Sequence, residues 1–75
     1  MEGAFSRAGR ELLRKQAEDL ERVLSKGGED PELLFRLGVI RVRLGEVENA
    51  RKVFLRLREI DPERASELLD IIYDL

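Results

Sequence analysis

The sequence contains no cysteine, histidine, threonine or tryptophan, and these absences exclude several classes of protein. Without cysteine there is no disulfide framework, and without cysteine and histidine there is no structural zinc site. The missing histidine also excludes a catalytic dyad built on that residue. No apolar run approaches the roughly 20 residues that a membrane-spanning helix needs, and the N-terminus lacks the basic start and apolar stretch of a signal peptide. A soluble cytoplasmic protein is therefore expected.

Uncharged polar side chains are also scarce, since Asn49 and Gln16 are the only amides. Charged residues make up 40% of the chain and apolar residues 43%, which is enough apolar material for a core. A charged surface with few thermolabile amides is typical of heat-adapted proteins, although an engineered or GC-rich origin gives the same composition. At this length we expect one domain over residues 1–75, with residues 1–4 disordered.

Two Asp-Pro-Glu triplets, at residues 30–32 and 61–63, each mark a helix start. In such a triplet the aspartate caps free backbone N–H groups, proline fits the first turn and glutamate suits the positive end of the helix dipole. Gly27-Gly28 and Gly45 follow helix-forming segments and mark helix ends. The sequence thus predicts an all-α fold with four helices, at about 5–26, 31–44, 47–60 and 63–74.

The apolar residues are distributed differently in the four helices. The first helix has a single apolar stripe, whereas the second is apolar on nearly all sides and is expected to lie at the centre, surrounded by the others. The fourth helix has two apolar stripes, and the second of these consists of Leu69 and Tyr73. A single buried face does not account for both apolar stripes of that helix.

The charges are arranged in two opposite blocks although the net charge is only −2. Residues 36–58 contain seven basic and two acidic side chains, a local charge of +5, and residues 59–75 have a local charge of −5. Opposite blocks this close in sequence are expected to attract each other within the fold or between protomers.

Small, aromatic and turn-forming residues follow one another at fixed spacings along residues 31–64: Leu37-Gly38, Gly45-Glu46, Ala50, Phe54, Leu57, Ile60 and Asp61-Pro62. This order resembles one tetratricopeptide repeat, a hairpin of two antiparallel helices, with the flanking helices as caps. Gly38 and Ala50 lack bulk, so the two helices of the hairpin are expected to approach closely. The sequence departs from the family where Leu34 replaces a usual Trp, Arg41 a usual Tyr and Leu57 a preferred Ala.

Members of this family bind peptides in a concave groove lined by the first helices of their hairpins. The resemblance implies that the lining here consists of Glu32, Phe35, Arg36, Val39, Val42 and Arg43. Apolar residues stand where carboxylate-clamping members have Lys, Arg or Asn, so a partner helix or apolar peptide is the implied ligand. The resemblance therefore implies a non-catalytic scaffold or adaptor that needs no cofactor. In the alternative, the first helix of the protein itself covers Phe35, Val39 and Val42.

Three further functional hypotheses are weighed against this one. Self-assembly into a homodimer would hide surplus apolar surface on the fourth helix, with Leu69, Ile71, Ile72 and Tyr73 as the candidate interface. Nucleic-acid binding is suggested by the arginines but disfavoured by the pI of about 5.2. Catalysis is not expected, because no glycine-rich loop follows a strand and no hydroxyl has an obvious base partner. The acidic pairs Glu18-Asp19 and Asp70/Asp74 are interpreted as solvated surface, not as an acid–base pair or a metal site.

Overall fold

The structure, a computed structural model, describes the backbone of residues 2–74 and the side chains of residues 7–74. Four α-helices account for most of this part of the chain, and it contains no strand. In chain order they are α1 (Glu2–Gly27), α2 (Pro31–Arg43), α3 (Val47–Ile60) and α4 (Pro62–Tyr73). The predicted all-α class is confirmed.

The two Asp-Pro-Glu triplets begin helices as predicted. The Asp30 carboxylate accepts hydrogen bonds from the backbone N–H groups of Glu32, at 2.9 Å, and Leu33, at 3.2 Å. The Asp61 carboxylate accepts one from the backbone N–H of Arg64, at 3.1 Å. In both helices the proline after the aspartate occupies the first turn, where its missing N–H leaves no hydrogen bond unmade.

Glycine ends two helices, also as predicted. Gly28 after α1 and Gly45 after α2 have φ angles of 88° and 78°, the left-handed region that a side chain disfavours. The start of α1 differs from the prediction, because the sequence predicts a helix from about residue 5 whereas α1 begins at Glu2. Once a helix has nucleated, each added residue gains a backbone hydrogen bond, so the helix extends past the unfavourable Gly9. Met1 lies outside the described residues.

The central position predicted for α2 is confirmed. It packs against α1, α3 and α4, and α3 and α4 also pack against each other. Each helix contributes small or branched apolar side chains to one buried cluster: Ala17, Leu24, Leu34, Leu37, Val42, Ala50, Val53, Leu57, Ala65, Leu68 and Ile72. Full burial of one leucine side chain contributes about 1.5–3 kcal/mol, so this cluster is the main stabilising feature of the fold.

The close approach at Gly38 involves a different helix from the one that the sequence predicts. The spacing predicts that Gly38 and Ala50 bring α2 and α3 together. In the structure, a Cβ atom placed on Gly38 would lie 2.5 Å from Cδ2 of Leu68, which belongs to α4. Leu68 is fully buried and occupies the space that the missing side chain leaves. Gly38 therefore sets the distance between α2 and α4.

Two arginines connect α1 to the hairpin formed by α2 and α3. The Arg41 guanidinium lies 3.6 Å from the Glu21 carboxylate of α1 and 2.8 Å from Glu46. The Arg56 guanidinium lies 3.5 Å from Glu21 and 3.0 Å from Glu29. Glu21 therefore lies between two arginines, and the basic side chains of the hairpin are partly neutralised by α1 and by the loop that follows it.

The predicted attraction between the basic and acidic blocks does not take the form of ion pairs among the described side chains of one protomer. Among the side chains of residues 7–74, no ion pair joins an arginine or lysine of residues 36–58 to an acidic group of residues 59–74. The one ion pair that α4 makes uses its basic residue, because Arg64 lies 2.9 Å from Glu32. The acidic side of α4 thus faces solvent.

Acidification is expected to weaken the connection made by Arg56. The hydrogen bond from Arg56 holds the pKa of Glu29 below its ordinary value of 4.5. A carboxylate with a lowered pKa in the folded state stabilises the fold above the ordinary pKa and loses that effect as the pH falls through the folded-state value. We therefore expect the difference in Tm between the parent and the Glu29→Gln variant to be largest near neutral pH and to shrink as the pH falls below 4.5 through the lower folded-state pKa, as measured by circular dichroism.

The matched control is Glu18→Gln, since the Glu18 side chain is exposed on α1 and makes no hydrogen bond to another described residue. Its Tm difference from the parent should be small at every pH. A pH-independent effect of Glu29→Gln would show that the carboxylate charge has no part in holding the loop to α3.

Candidate functional site

One exposed side of α2 combines apolar and basic side chains. Phe35, Arg36, Val39, Ile40 and Arg43 line a shallow surface depression of about 250 Å³, and we call these five residues the α2 face. Their spacings of three and four residues place them on one side of a helix. The three apolar members are half-buried, whereas both arginines are exposed.

A second depression continues this surface towards α1. It has a volume of about 300 Å³ and is lined by Gln16, Asp19 and Leu20 of α1 together with Arg36 and Ile40 of α2. Because Arg36 and Ile40 border both depressions, the two form one continuous groove. Its floor is apolar at Leu20 and Ile40, and its edges are polar. α1 therefore forms one wall of the groove, and the partly buried Phe35 and Val39 line the part that α1 does not border.

The structure brings together most of the residues that the sequence predicts for this site. Phe35, Arg36, Val39 and Arg43 line the groove, and Glu32 lies exposed beside it. Val42 is the exception, because only 7% of its surface is exposed and it belongs to the core. It lies one helical turn after Gly38, on the buried side of α2, so the assignment of Val42 to the groove lining is wrong.

Ile40 is a groove residue that the prediction missed. The predicted lining residues are the positions that line the groove in tetratricopeptide repeats, and Ile40 does not occupy one of these positions. A signal is present in the sequence, however, because Arg36, Ile40 and Arg43 are spaced four and three residues apart and must share one side of the helix. Leu20 of α1 has no comparable signal, since its place beside α2 depends on how the two helices dock.

The Phe35 ring is contacted by a side chain of α4. The Arg64 guanidinium carbon lies 5.1 Å from the centroid of the Phe35 ring, within the range of a cation–π contact. The same arginine donates a hydrogen bond of 2.9 Å to the Glu32 carboxylate. Glu32 and Arg64 thus lie beside the Phe35 end of the α2 face, where the Glu32 carboxylate is paired with the Arg64 guanidinium.

The remaining charges of the α2 face are available to a ligand. Neither Arg36 nor Arg43 forms an ion pair with any side chain of residues 7–74. They lie two helical turns apart, one on each side of Val39 and Ile40. An apolar strip bounded by two guanidinium groups favours a ligand that is apolar in the middle and acidic at its edges.

The candidate interface residues on α4 do not share one surface. Tyr73 is 70% exposed, and Leu69 and Ile71 are half-buried. Ile72 is only 3% exposed, because it continues the buried stripe of Ala65 and Leu68 that packs against the rest of the core. Its assignment to an oligomer interface is therefore wrong, and Ile71 lies on the other side of α4 from Leu69 and Tyr73.

Comparisons with protein-family models, with curated proteins and with solved structures found no significant match. The described residues contain no cluster of three or more acidic side chains that could hold a metal ion. None of the helices in residues 2–74 has the combination of length and apolar character that crossing a membrane requires. The structure itself defines the class of protein, an all-α domain of four helices with an open groove on its central helix.

Proposed function

We propose that this protein is a non-catalytic protein–protein interaction module that binds an amphipathic helix of a partner in the groove on the α2 face. The observation that carries the proposal is the partly buried apolar strip of Phe35, Val39 and Ile40, which lies between two arginines without ion-pair partners among the described side chains. In helix-in-groove recognition the ligand helix presents apolar side chains three and four residues apart, and an exposed apolar strip is the surface that such side chains cover.

The expected ligand follows from the chemistry of the groove. Covering the apolar strip removes its exposed surface from water at about 25 cal/mol per Å² of apolar area, which supplies the attraction. Acidic side chains at the ligand edges would form charge-assisted hydrogen bonds with Arg36 and Arg43, which fix the register of the ligand and speed its association. The groove is small, so we expect an affinity in the micromolar range or weaker.

The sequence resemblance to a tetratricopeptide repeat supports the proposal independently. Proteins of that family are scaffolds and adaptors, and four of the residues that line the groove are ones that the resemblance implies. A cytoplasmic location, which the sequence predicts, belongs to the same proposal. No carboxylate clamp is included, because Phe35 and Val39 stand where basic or amide side chains would be needed.

A peptide titration tests the proposed function. The probe is a synthetic 16-residue helical peptide with leucine at positions i, i+3, i+4 and i+7 and glutamate at the flanking positions. In two-dimensional ¹H–¹⁵N NMR, we expect shift changes centred on Val39, Ile40 and Arg43, and a Kd on the order of 10–500 μM. A peptide with lysine in place of every glutamate should bind at least about tenfold more weakly.

Charge reversal identifies the surface. The Arg36→Glu/Arg43→Glu variant should lose at least about tenfold in affinity for the acidic peptide, since two attractions become repulsions. Lys52→Glu is the matched control, because Lys52 is an exposed basic residue of α3 away from the groove, and its affinity should stay within about twofold. Equal binding of both peptides, or shift changes confined to another surface, would overturn the proposal.

A further inference from the structure

An acidic stripe lies on α4 beside the α2 face. Glu67, Ile71 and Asp74 follow Arg64 by three, seven and ten residues, so they continue the side of α4 that carries Arg64. Arg64 contacts Phe35 and Glu32 of α2, which places this side of α4 next to the α2 face. Glu67 and Asp74 are exposed and form no ion pair within residues 7–74, and Ile71 between them is half-buried.

The two helices run in the same direction. Phe35 of α2 contacts Arg64 of α4. Three residues further along α2, Gly38 lies against Leu68, which is four residues further along α4. Arg36 and Arg43 are seven residues apart, as are Glu67 and Asp74. Seven residues are two helical turns, or about 10.5 Å, so the basic pair and the acidic pair have the same spacing along nearly parallel helices.

Such a surface is complementary to itself. A two-fold axis can be drawn in the plane of this surface, midway between α2 and α4 and parallel to both helices. Rotation about this axis places α2 of one copy over α4 of a second copy. The operation leaves positions along the helices unchanged, so Arg36 and Arg43 come within one to two residues, or about 3 Å along the helix axis, of the levels of Glu67 and Asp74 of the other copy. Both separations are within the reach of an arginine side chain. The apolar strip of α2 then meets Ile71. Each contact occurs twice, as a symmetric dimer interface requires.

We propose that the groove ligand is α4 of a second copy of this chain, in a symmetric dimer in which the α2 face of each copy covers the acidic stripe of the other. The inference rests on the proposed function and names the partner for the same groove. It accounts for the opposite charge blocks, which are not joined by ion pairs within the described part of one protomer. In the dimer, the arginines of each α2 face lie opposite the acidic stripe of the other copy.

Sedimentation equilibrium with charge-swap variants tests this inference. The parent protein is expected to show a monomer–dimer equilibrium with a Kd on the order of 10–500 μM at 25 mM NaCl, weakened several-fold at 500 mM because exposed charges are screened. Arg36→Glu/Arg43→Glu and Glu67→Arg/Asp74→Arg should each raise the dimer Kd at least about tenfold, since every substitution counts twice in a symmetric interface.

An equimolar mixture of the two variants should dimerise as tightly as the parent, because each basic edge then again faces an acidic one. Tyr73→Ser is the matched control, since Tyr73 lies on the opposite side of α4, and its dimer Kd should be unchanged. Circular dichroism establishes that every variant is folded.

The outcomes separate this inference from the proposed function. A parent protein that is monomeric at 2 mM overturns the dimer, whereas binding of the acidic synthetic peptide by that monomer still supports the proposed function. A dimer that Tyr73→Ser disrupts and the charge reversals leave intact also overturns the inference, because it uses the other side of α4. Restoration of the dimer only in the mixture supports it.

Discussion

Replacing Gly38 by leucine is expected to lower Tm by roughly 5–20 °C. A Cβ at this position would already lie 2.5 Å from Cδ2 and 2.8 Å from Cδ1 of Leu68, and leucine adds three more carbon atoms. Leu68 is fully buried, so it has no solvent-exposed space into which it can move. Overpacking of this kind costs about 1–3 kcal/mol or more, and each kcal/mol shifts Tm by about 4–8 °C in a domain of this size.

Two comparisons show whether the effect arises at the contact between α2 and α4. Gly9→Ala is the control, because nothing lies within 4 Å of a Cβ placed there, and Tm should stay the same or rise slightly. The double variant Gly38→Leu/Leu68→Ala should be less destabilised than the two single effects predict together, since removing the Leu68 side chain makes room for the new one. A Gly38→Leu protein that melts within a degree or two of the parent would contradict this packing.

Truncation of Leu57 to alanine is expected to cost about 2–5 kcal/mol of unfolding free energy. Leu57 is fully buried on α3, within the main cluster. The lost methyl groups leave a cavity that closes only in part, because α2 and α4 both pack against α3. A 75-residue domain has a total stability of roughly 4–11 kcal/mol, so the variant loses a large fraction of it. Urea unfolding followed by circular dichroism measures the change.

The same truncation at Leu55 is the control, since this residue lies on α3 as well but is 48% exposed. Its effect should stay within about 0.5–1 kcal/mol. The comparison also bears on the family resemblance, because tetratricopeptide repeats prefer alanine at the position of Leu57. If Leu57→Ala is as mild as Leu55→Ala, the hairpin closes over the smaller side chain, and the packing described above is wrong.

The helices could be predicted from the sequence because their ends depend on local chemistry. Asp30 and Asp61 cap the helices that follow them, and Gly28 and Gly45 take the backbone conformation that stops a helix. These interactions lie within a few residues of one another, so the order of residues contains nearly all the information. The predicted boundaries differ from those of the structure by at most three residues, and the largest difference is at the start of α1.

The contacts between helices were less predictable, for a physical reason. α2 is apolar on nearly all sides, so periodicity does not say which apolar residues stay partly exposed. Val42, which was predicted to line the groove, is buried, and Ile40, for which no role was predicted, lines it. Gly38 shows the same difficulty, since a missing side chain marks a close approach but not the neighbour. Arg41 stands apart from the polar strip in the sequence, and only the docking of α1 brings Glu21 within reach of it.

The way in which α1 is attached predicts that the molecule contains two cooperative units. α1 spans 26 residues but packs against α2 alone among the helices, with Ala17 and Leu24 as its buried side chains in the described part. Its remaining links to the hairpin are ion pairs, together with a hydrogen bond from Arg10 to the Leu44 carbonyl. α1 can therefore separate from α2 while α2, α3 and α4 keep their contacts. We therefore expect its amide protons to exchange with solvent through this smaller opening, ahead of global unfolding.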